Sequence, residues 1–232
     1  RIATNRSLLG IIAAAILLLL GMLGMTGMAP YVFPVYYNSG SAQSLSSFTS
    51  NIVVLLICAP LAAKIASKIG KKELATISCI ASTVVWVVCL VIRPSNVNVF
   101  VGFYTVSYIG IGIFNTIIWA MITDVIDDAE VKNGVREDGT IYSVYSFARK
   151  LGQALSSGMI GGLMTMIGYS DTVSKNPSAY PEVLSNIFNL SCIIPAIGLA
   201  TVALALLFLY PLTKSKVDAN VAELARRRKA GK

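Results

Sequence analysis

Long apolar runs constrain this chain more than any other feature. Six of them lie along 232 residues, at 8–37, 46–67, 74–92, 99–126, 141–169 and 185–210. A helix needs about 18–20 apolar residues to cross a bilayer, and several of these runs exceed that. Charged residues make up 13% of the chain and hydrophobic ones 55%, whereas soluble domains run at about 25% charged. The chain therefore reads as an all-α polytopic membrane protein of six transmembrane helices. Residues 1–212 form the membrane unit and residues 213–232 a polar, basic tail. The run over residues 1–21 continues past any cleavable signal and has no cleavage pattern. A chain that begins with Arg1 reads as a piece of something longer.

The distribution of charge orients the spans. Arg1 and Arg6 precede the first, Lys64, Lys68, Lys71 and Lys72 flank the second loop, Lys132 and Arg136 lie between spans four and five, and Lys214, Lys216, Arg226, Arg227, Arg228, Lys229 and Lys232 follow the sixth. Only Arg93 and Lys175 fall on the other side. The positive-inside rule places both termini in the cytoplasm. It also accounts for the net charge of +8 without nucleic acid. The run Arg226–Lys229 reads as a topology-fixing, solvated tail, with anionic lipid as the alternative. The absence of His excludes histidine metal sites and proton relays, and Cys58, Cys79, Cys89 and Cys192, all inside apolar runs, read as small buried hydrophobes.

One residue violates the apolar pattern sharply. Lys150, preceded by Arg149, stands inside the fifth run. A helix entered near Ile141 carries it about 13 Å deep, near the middle of a hydrocarbon core ~30 Å thick, where a cation costs roughly 3 kcal/mol. No apolar run holds an Asp or Glu at similar depth, so Lys150 lines water or pairs with a segment outside this sequence. Ser143, Ser146, Lys150, Gln153 and Ser157 recur at three and four residues and form one helical stripe. Ala154, Gly158 and Gly162 recur every four residues and read as a packing face. A polar stripe beside a packing stripe suits a helix that lines a cavity. The bland alternative is serine back-bonding with a snorkelling lysine, whose reach of about 6 Å falls short of that depth. Arg149 points about 100° away from Lys150.

Two further patterns carry polar chemistry. Asn115 and Trp119, one turn apart, suit a sugar's hydroxyl rim and C–H face, or equally a packed indole and an interhelical amide. Asp124, Asp127 and Glu130 repeat by three on the extension of span four, forming an acidic edge that can pair with Arg136 or with Lys68, Lys71 and Lys72. No metal-loop spacing accompanies them, and no metal site is expected. Gly21, Gly24, Gly27, Pro30 and Pro34 interrupt span one, as a gate or as close packing. Tyr31, Phe33, Tyr36 and Tyr37 read as an outer aromatic belt.

The stretch from Trp119 to Tyr169, with Asp124, Asp127, Glu130, Gly134, Arg136, Tyr142, Ser143, Lys150, Gly152 and Met166-Ile-Gly-Tyr169, resembles the second half of the glycoside–pentoside–hexuronide:cation symporter family of the major facilitator superfamily. Asn5-Arg-Ser-Leu resembles the start of that family's seventh helix. Pro60…Lys68-Ile-Gly70-Lys71-Lys72 resembles the superfamily's loop motif, with Ser67 at its acidic position. The resemblance implies helices seven to twelve of twelve, as two inverted three-helix repeats in a bacterial inner membrane. It implies transport of a sugar or glycoside with Na⁺, Li⁺ or H⁺ by alternating access. The coupling cation would bind the N-terminal half, which is the expected partner besides lipid, with self-association in its absence. No other cofactor is implied. Lys150 matches the family's embedded lysine, and the family's polar pair one turn earlier falls on Tyr145 and Ser146, where Tyr145 departs from the best-known member. Asn115 falls where the family's best-known member has a sugar-contacting Trp. Candidate substrate residues are thus Lys150, Tyr145, Ser146, Arg149, Gln153, Asn115 and Trp119. A self-sufficient oligomeric channel is the alternative, and a membrane enzyme lacks its residues.

Overall fold

The computed structural model describes residues 5–229, so Arg1 and Lys232, counted above among the basic flanks, lie outside the described residues. The described residues are helical throughout and hold no strand. Helix α1 (Arg6–Tyr31) starts at Asn5, whose side chain accepts from the Ser7 and Leu8 amides, and ends in a π turn over Val32–Tyr36. Helix α2 (Gly40–Val53) continues through a second π turn, Val54–Cys58, into α3 (Ala59–Ile69). Helices α4 (Lys71–Ile92), α5 (Val97–Asn133) and α6 (Asp138–Met166) follow. After the short α7 (Asp171–Lys175) come α8 (Pro181–Phe208) and α9 (Lys214–Lys229).

Five of these units are long and apolar enough to cross a membrane: α1, α2 with α3, α4, α5 and α8. The sixth expected span, α6, has 29 residues, about 43 Å of helix, but falls short in apolarity. Arg149, Lys150, Gln153, Ser156 and Ser157 crowd its middle. The expected ends also move. Span four runs on to Asn133, and span five begins at Asp138, which reduces the expected 127–140 loop to a tight turn. Gly134 makes that turn in the left-handed region, at φ 73°, with its amide on Glu130 O. The tail is ordered as well: α9 lies against α5 and α4 and buries Asn220 and Leu224.

The packing is two-fold in pattern. Helix α1 packs on α8 and α6, α5 packs on α4 and α2, and α4 packs on α8. Exchanging the triplet α1, α2/α3, α4 with the triplet α5, α6, α8 carries α1·α8 onto α5·α4 and α1·α6 onto α5·α2, and leaves α4·α8 on itself. Because each triplet has an odd number of crossings, the second runs opposite to the first, as inverted repeats do. Arg6 donates to Phe208 O at 3.0 Å, which puts the start of α1 and the end of α8 at one face, here called the basic face.

The interruptions of span one divide between packing and bending. A Cβ on Gly21 would stand 3.2 Å from Gly198 Cα, and one on Gly10 would stand 2.8 Å from the Leu209 backbone. These glycines let α1 and α8 meet backbone to backbone. The bend falls later, at Pro30 and Pro34 in and around the π turn. Of the expected aromatic belt, Phe33 is buried and Tyr31, Tyr36 and Tyr37 are half-buried against the bundle. Phe33 is fully buried against Phe100 and Tyr104, Tyr36 stacks on Phe188, and the Tyr37 hydroxyl donates to Pro94 O at 2.7 Å. All four cysteines are free and buried.

Substituting Gly198→Val should force α1 and α8 apart. The expected cost is about 1–3 kcal/mol or more, read as a lower midpoint in thermal unfolding in detergent. Gly102→Val, where a Cβ meets open space, should leave the midpoint near its starting value.

Candidate functional site

Helix α6 has two faces. Ile141, Tyr145, Ala148, Gly152 and Ser156 are buried, and Gly152 lies against Leu19 and Ile16 of α1. At about 100° per residue, Ala148 and Gly152 stand roughly 160° from Lys150. Ser143, Ser146, Lys150 and Ser157 are exposed and Gln153 is half-buried. Lys150 makes no ion pair among the described residues. The polar stripe is therefore as expected, but the packing stripe is not. Nothing lies within 4 Å of a Cβ placed on Gly158 or Gly162, and Ala154 is exposed. These small residues flank the polar stripe, while the packing face is the one opposite it.

Arg149 leans toward α5. Its guanidinium carbon lies 5.9 Å from the Trp119 ring and 5.9 Å from the Tyr145 ring, and it donates to the Tyr145 hydroxyl at 3.2 Å. Trp119 meets Tyr145 edge-on at 5.6 Å and stacks on Tyr142 at 6.4 Å. Tyr145 is fully buried, whereas Trp119 keeps 49% exposure. Tyr142 was not among the candidate substrate residues. Its spacing, three before Tyr145 and seven before Arg149, puts it on their side of α6. Asn115 is drawn elsewhere: its amide donates to the Met22 sulfur of α1 at 3.3 Å. The expected pair is thus divided, with Trp119 packed toward α6 and Asn115 turned toward α1.

At the basic face the acidic edge splits by direction. Lys71 reaches Asp124 at 2.6 Å, and Asp124 is 5% exposed. Arg136 gathers Asp127 at 2.8 Å, Glu130 at 2.9 Å and Asp138 at 2.8 Å. Asp127 and Glu130 hold its guanidinium pKa well above the usual range. The remaining expected cations do not join an acid. Lys72 donates to Tyr210 O at 2.6 Å and Leu207 O at 3.4 Å, capping the end of α8. Lys68 makes no ion pair among the described residues. Consecutive helical residues diverge by about 100°, so Lys71 and Lys72 cannot serve the same partner.

The most buried carboxylate at this face is one the spacing pattern skipped. Asp128 is 1% exposed and accepts from Ser7 Oγ at 2.6 Å, Lys132 Nζ at 2.5 Å and Asn220 Nδ2 at 3.2 Å. It ties α1, α5 and α9 together. Lys132 four residues on was the available signal; Ser7 and Asn220 are distant in sequence and gave none.

The chain matches the family described as MFS/sugar transport protein over residues 1–214. Among curated relatives, it is similar to the "Uncharacterized symporter YjmB" of Bacillus subtilis (strain 168), at 33% identity over 84% of this chain and 42% of that protein. It is 26% identical to the "Glucuronide carrier protein homolog" of Escherichia coli (strain K12), over 97% of this chain and 48% of that protein. It is 32% identical to a "Putative sulfoquinovose importer" of Salmonella typhimurium (strain LT2), over 57% of this chain and 27% of that protein. The chain spans less than half the length of these relatives.

Removing the Asp128 carboxylate should be costly, because it strands Lys132, Ser7 and Asn220 together. Asp128→Ala is expected to lose about 3 kcal/mol or more, measured by thermal unfolding in detergent. Asp218→Ala, which removes only an exposed partner of Lys214, should change the midpoint little.

Proposed function

The chain belongs to the MFS/sugar transport protein family, and on that premise we propose that it is the C-terminal half of a secondary transporter that symports a sugar or glycoside with Na⁺, Li⁺ or H⁺. Its relatives carry the names of symporters, carriers and importers, and the chain is a multi-pass membrane protein of a transporter family rather than of an enzyme family. In this reading the basic face is cytoplasmic and the membrane is the bacterial inner membrane. The N-terminal half covers the open faces of α6 and α2/α3, and the coupling cation binds on that half.

Lys150 carries the proposal. It stands at mid-helix on an open polar stripe with no acid to meet it among the described residues. A carboxylate of the other half answers it across a central cavity, and cation or sugar binding then competes with that pairing. Competition for one partner is what links two ligands thermodynamically. Ser146 and Gln153 stand on the same stripe to meet sugar hydroxyls. The clusters of Lys71 with Asp124 and of Arg136 with Asp127 and Glu130 act as a latch at the cytoplasmic face, formed in one state of the transport cycle.

Transport by the full-length protein in membrane vesicles tests both parts. Lys150→Met, which keeps length and loses charge, should reduce sugar accumulation about tenfold or more, because it strands an acid in the cavity. Lys150→Arg should retain part of it. Full accumulation by Lys150→Met would remove the basis of the proposal. For the latch, Asp124→Asn should change the rate of uptake more than the apparent sugar affinity, and identical rates would dismiss it.

A further inference from the structure

Two apolar cavities along α8 join into one groove. The first, of about 340 Å³, lies between α1, α6 and α8, with Leu20, Met159, Leu163 and Ile197 among its walls. The second, also of about 340 Å³, continues it toward the basic face past Leu204 and Leu209, and the two share Leu17 and Thr201. The Thr201 hydroxyl donates to Ile197 O at 2.9 Å and Gly198 O at 2.8 Å, so the polar side chain in these walls is satisfied within α8. From Ile193 to Leu209 the groove follows about 24 Å of helix, whereas the hydrocarbon of one leaflet is about 15 Å thick. The groove is separate from the polar stripe of α6, because Met159 stands about 180° around that helix from Lys150.

A cation stands at the mouth of this groove. Arg6 is exposed and donates through Nη2 to Phe208 O at 3.0 Å, one residue before Leu209. A carbonyl carries only a partial charge, so this bond positions the guanidinium without neutralising it, and the fork keeps further donors. Lys72 holds Leu207 O and Tyr210 O at the same helix end. The inverted repeat supplies a comparison. Its second groove lies between α4 and α5, where two cavities share Val85 and Val106. Asn5 caps α1 and is followed by Arg6, whereas Asn96 caps α5 and is followed by Val97. Arg93, at the end of α4, turns to Ser185 and Asn189 of α8. The position that Arg6 takes at one mouth is thus held by a valine at the other. We infer that the α1/α8 groove binds an anionic phospholipid of the leaflet at the basic face, with an acyl chain along the groove and the headgroup phosphate on Arg6. The guanidinium fork matches two phosphate oxygens. A zwitterionic headgroup brings its own cation to this place, and an anionic one does not.

Occupancy is read in the full-length protein, in vesicles made of phosphatidylcholine and phosphatidylglycerol in equal parts. In one preparation the phosphatidylcholine carries a photoreactive diazirine on its acyl chain, and in the other the phosphatidylglycerol does. Peptide mass spectrometry then counts the adducts along each helix. Phosphatidylglycerol should label the α1/α8 groove about fivefold more than phosphatidylcholine, the effect of one basic side chain on an anionic lipid. Around Val85 and Val106 of the α4/α5 groove the two lipids should label equally. Arg6→Gln should bring the α1/α8 ratio near one and leave the α4/α5 ratio alone. Arg6→Lys, which keeps the charge and loses the fork, should retain most of the preference. Equal labelling of the α1/α8 groove by the two lipids overturns the inference, as does an equal preference at both grooves or an unchanged ratio in Arg6→Gln. Absence of adducts along α1 and α8 overturns it too, because the other half of the protein or a second copy then covers the groove. Each of these outcomes leaves sugar transport standing, since lipid labelling requires no transported substrate.

Discussion

Charge inside a bundle of apolar helices has to be compensated, and the way each charge is met organises this protein. A cation at the centre of a bilayer costs roughly 3 kcal/mol even on lenient scales. Helix α6 carries two cations at mid-helix, Arg149 and Lys150, and packs against α1 on the face away from Lys150, where Gly152 meets Leu19 and Ile16. Arg149 is met by ring faces and a hydroxyl. Lys150 is met by nothing among the described residues. The helix is thereby divided into a face packed on the bundle and a face that the described residues leave open.

At the basic face the same demand is met within the chain. Asp124, Asp127, Asp128 and Glu130 occupy two turns of α5, and their directions around the helix decide their partners. Asp124 turns toward α4 and Lys71, Asp127 and Glu130 toward Arg136, and Asp128 toward Ser7 and Asn220. The end of α8, with its unpaired carbonyls, receives Lys72 and Arg6. The tail helix α9 is joined to this network through Asn220 and through Arg227 on Glu130 O. An ordered network therefore gathers the ends of α1, α5, α8 and α9.

Features that depend on composition and local spacing were legible in the sequence. The six helical runs, the break at Pro30 and Pro34, the polar stripe of α6 and the pairing of Arg136 with nearby acids all follow from residues close in the chain. Features that depend on which helix lies opposite were not. Asp128 looks like an exposed neighbour of Asp127 until Ser7 and Asn220 close over it. The glycines of α6 have the spacing of a packing motif, yet it is Gly21 and Gly10 of α1 that meet backbone. Likewise, Phe33 has the composition of an interfacial belt, and only Phe100 and Tyr104 of α5, distant in sequence, decide that it is buried. Tertiary partners decide such cases because the same spacing serves packing and exposure alike.

The two-fold pattern adds a constraint that no single helix shows. Helices α2/α3 and α6 hold equivalent places, each packed on the first helix of the other triplet and each open on its other side. In α2 the exposed polar residues are Ser41, Ser44, Ser47 and Asn51, in the first half of the span, and α3 then exposes mainly apolar residues such as Leu61 and Ile65 before its basic end. In α6 they cluster at Ser143, Ser146 and Lys150, from the start to the middle, with Ser157 and Thr165 further on. Because α6 starts at the basic face and α2 starts at the opposite one, these matching halves lie at opposite ends of the bundle. The open side thus carries polar residues of α2 toward one end and of α6 toward the other, with Lys150 near the middle of α6. An inverted repeat supplies that arrangement from a single pattern used twice.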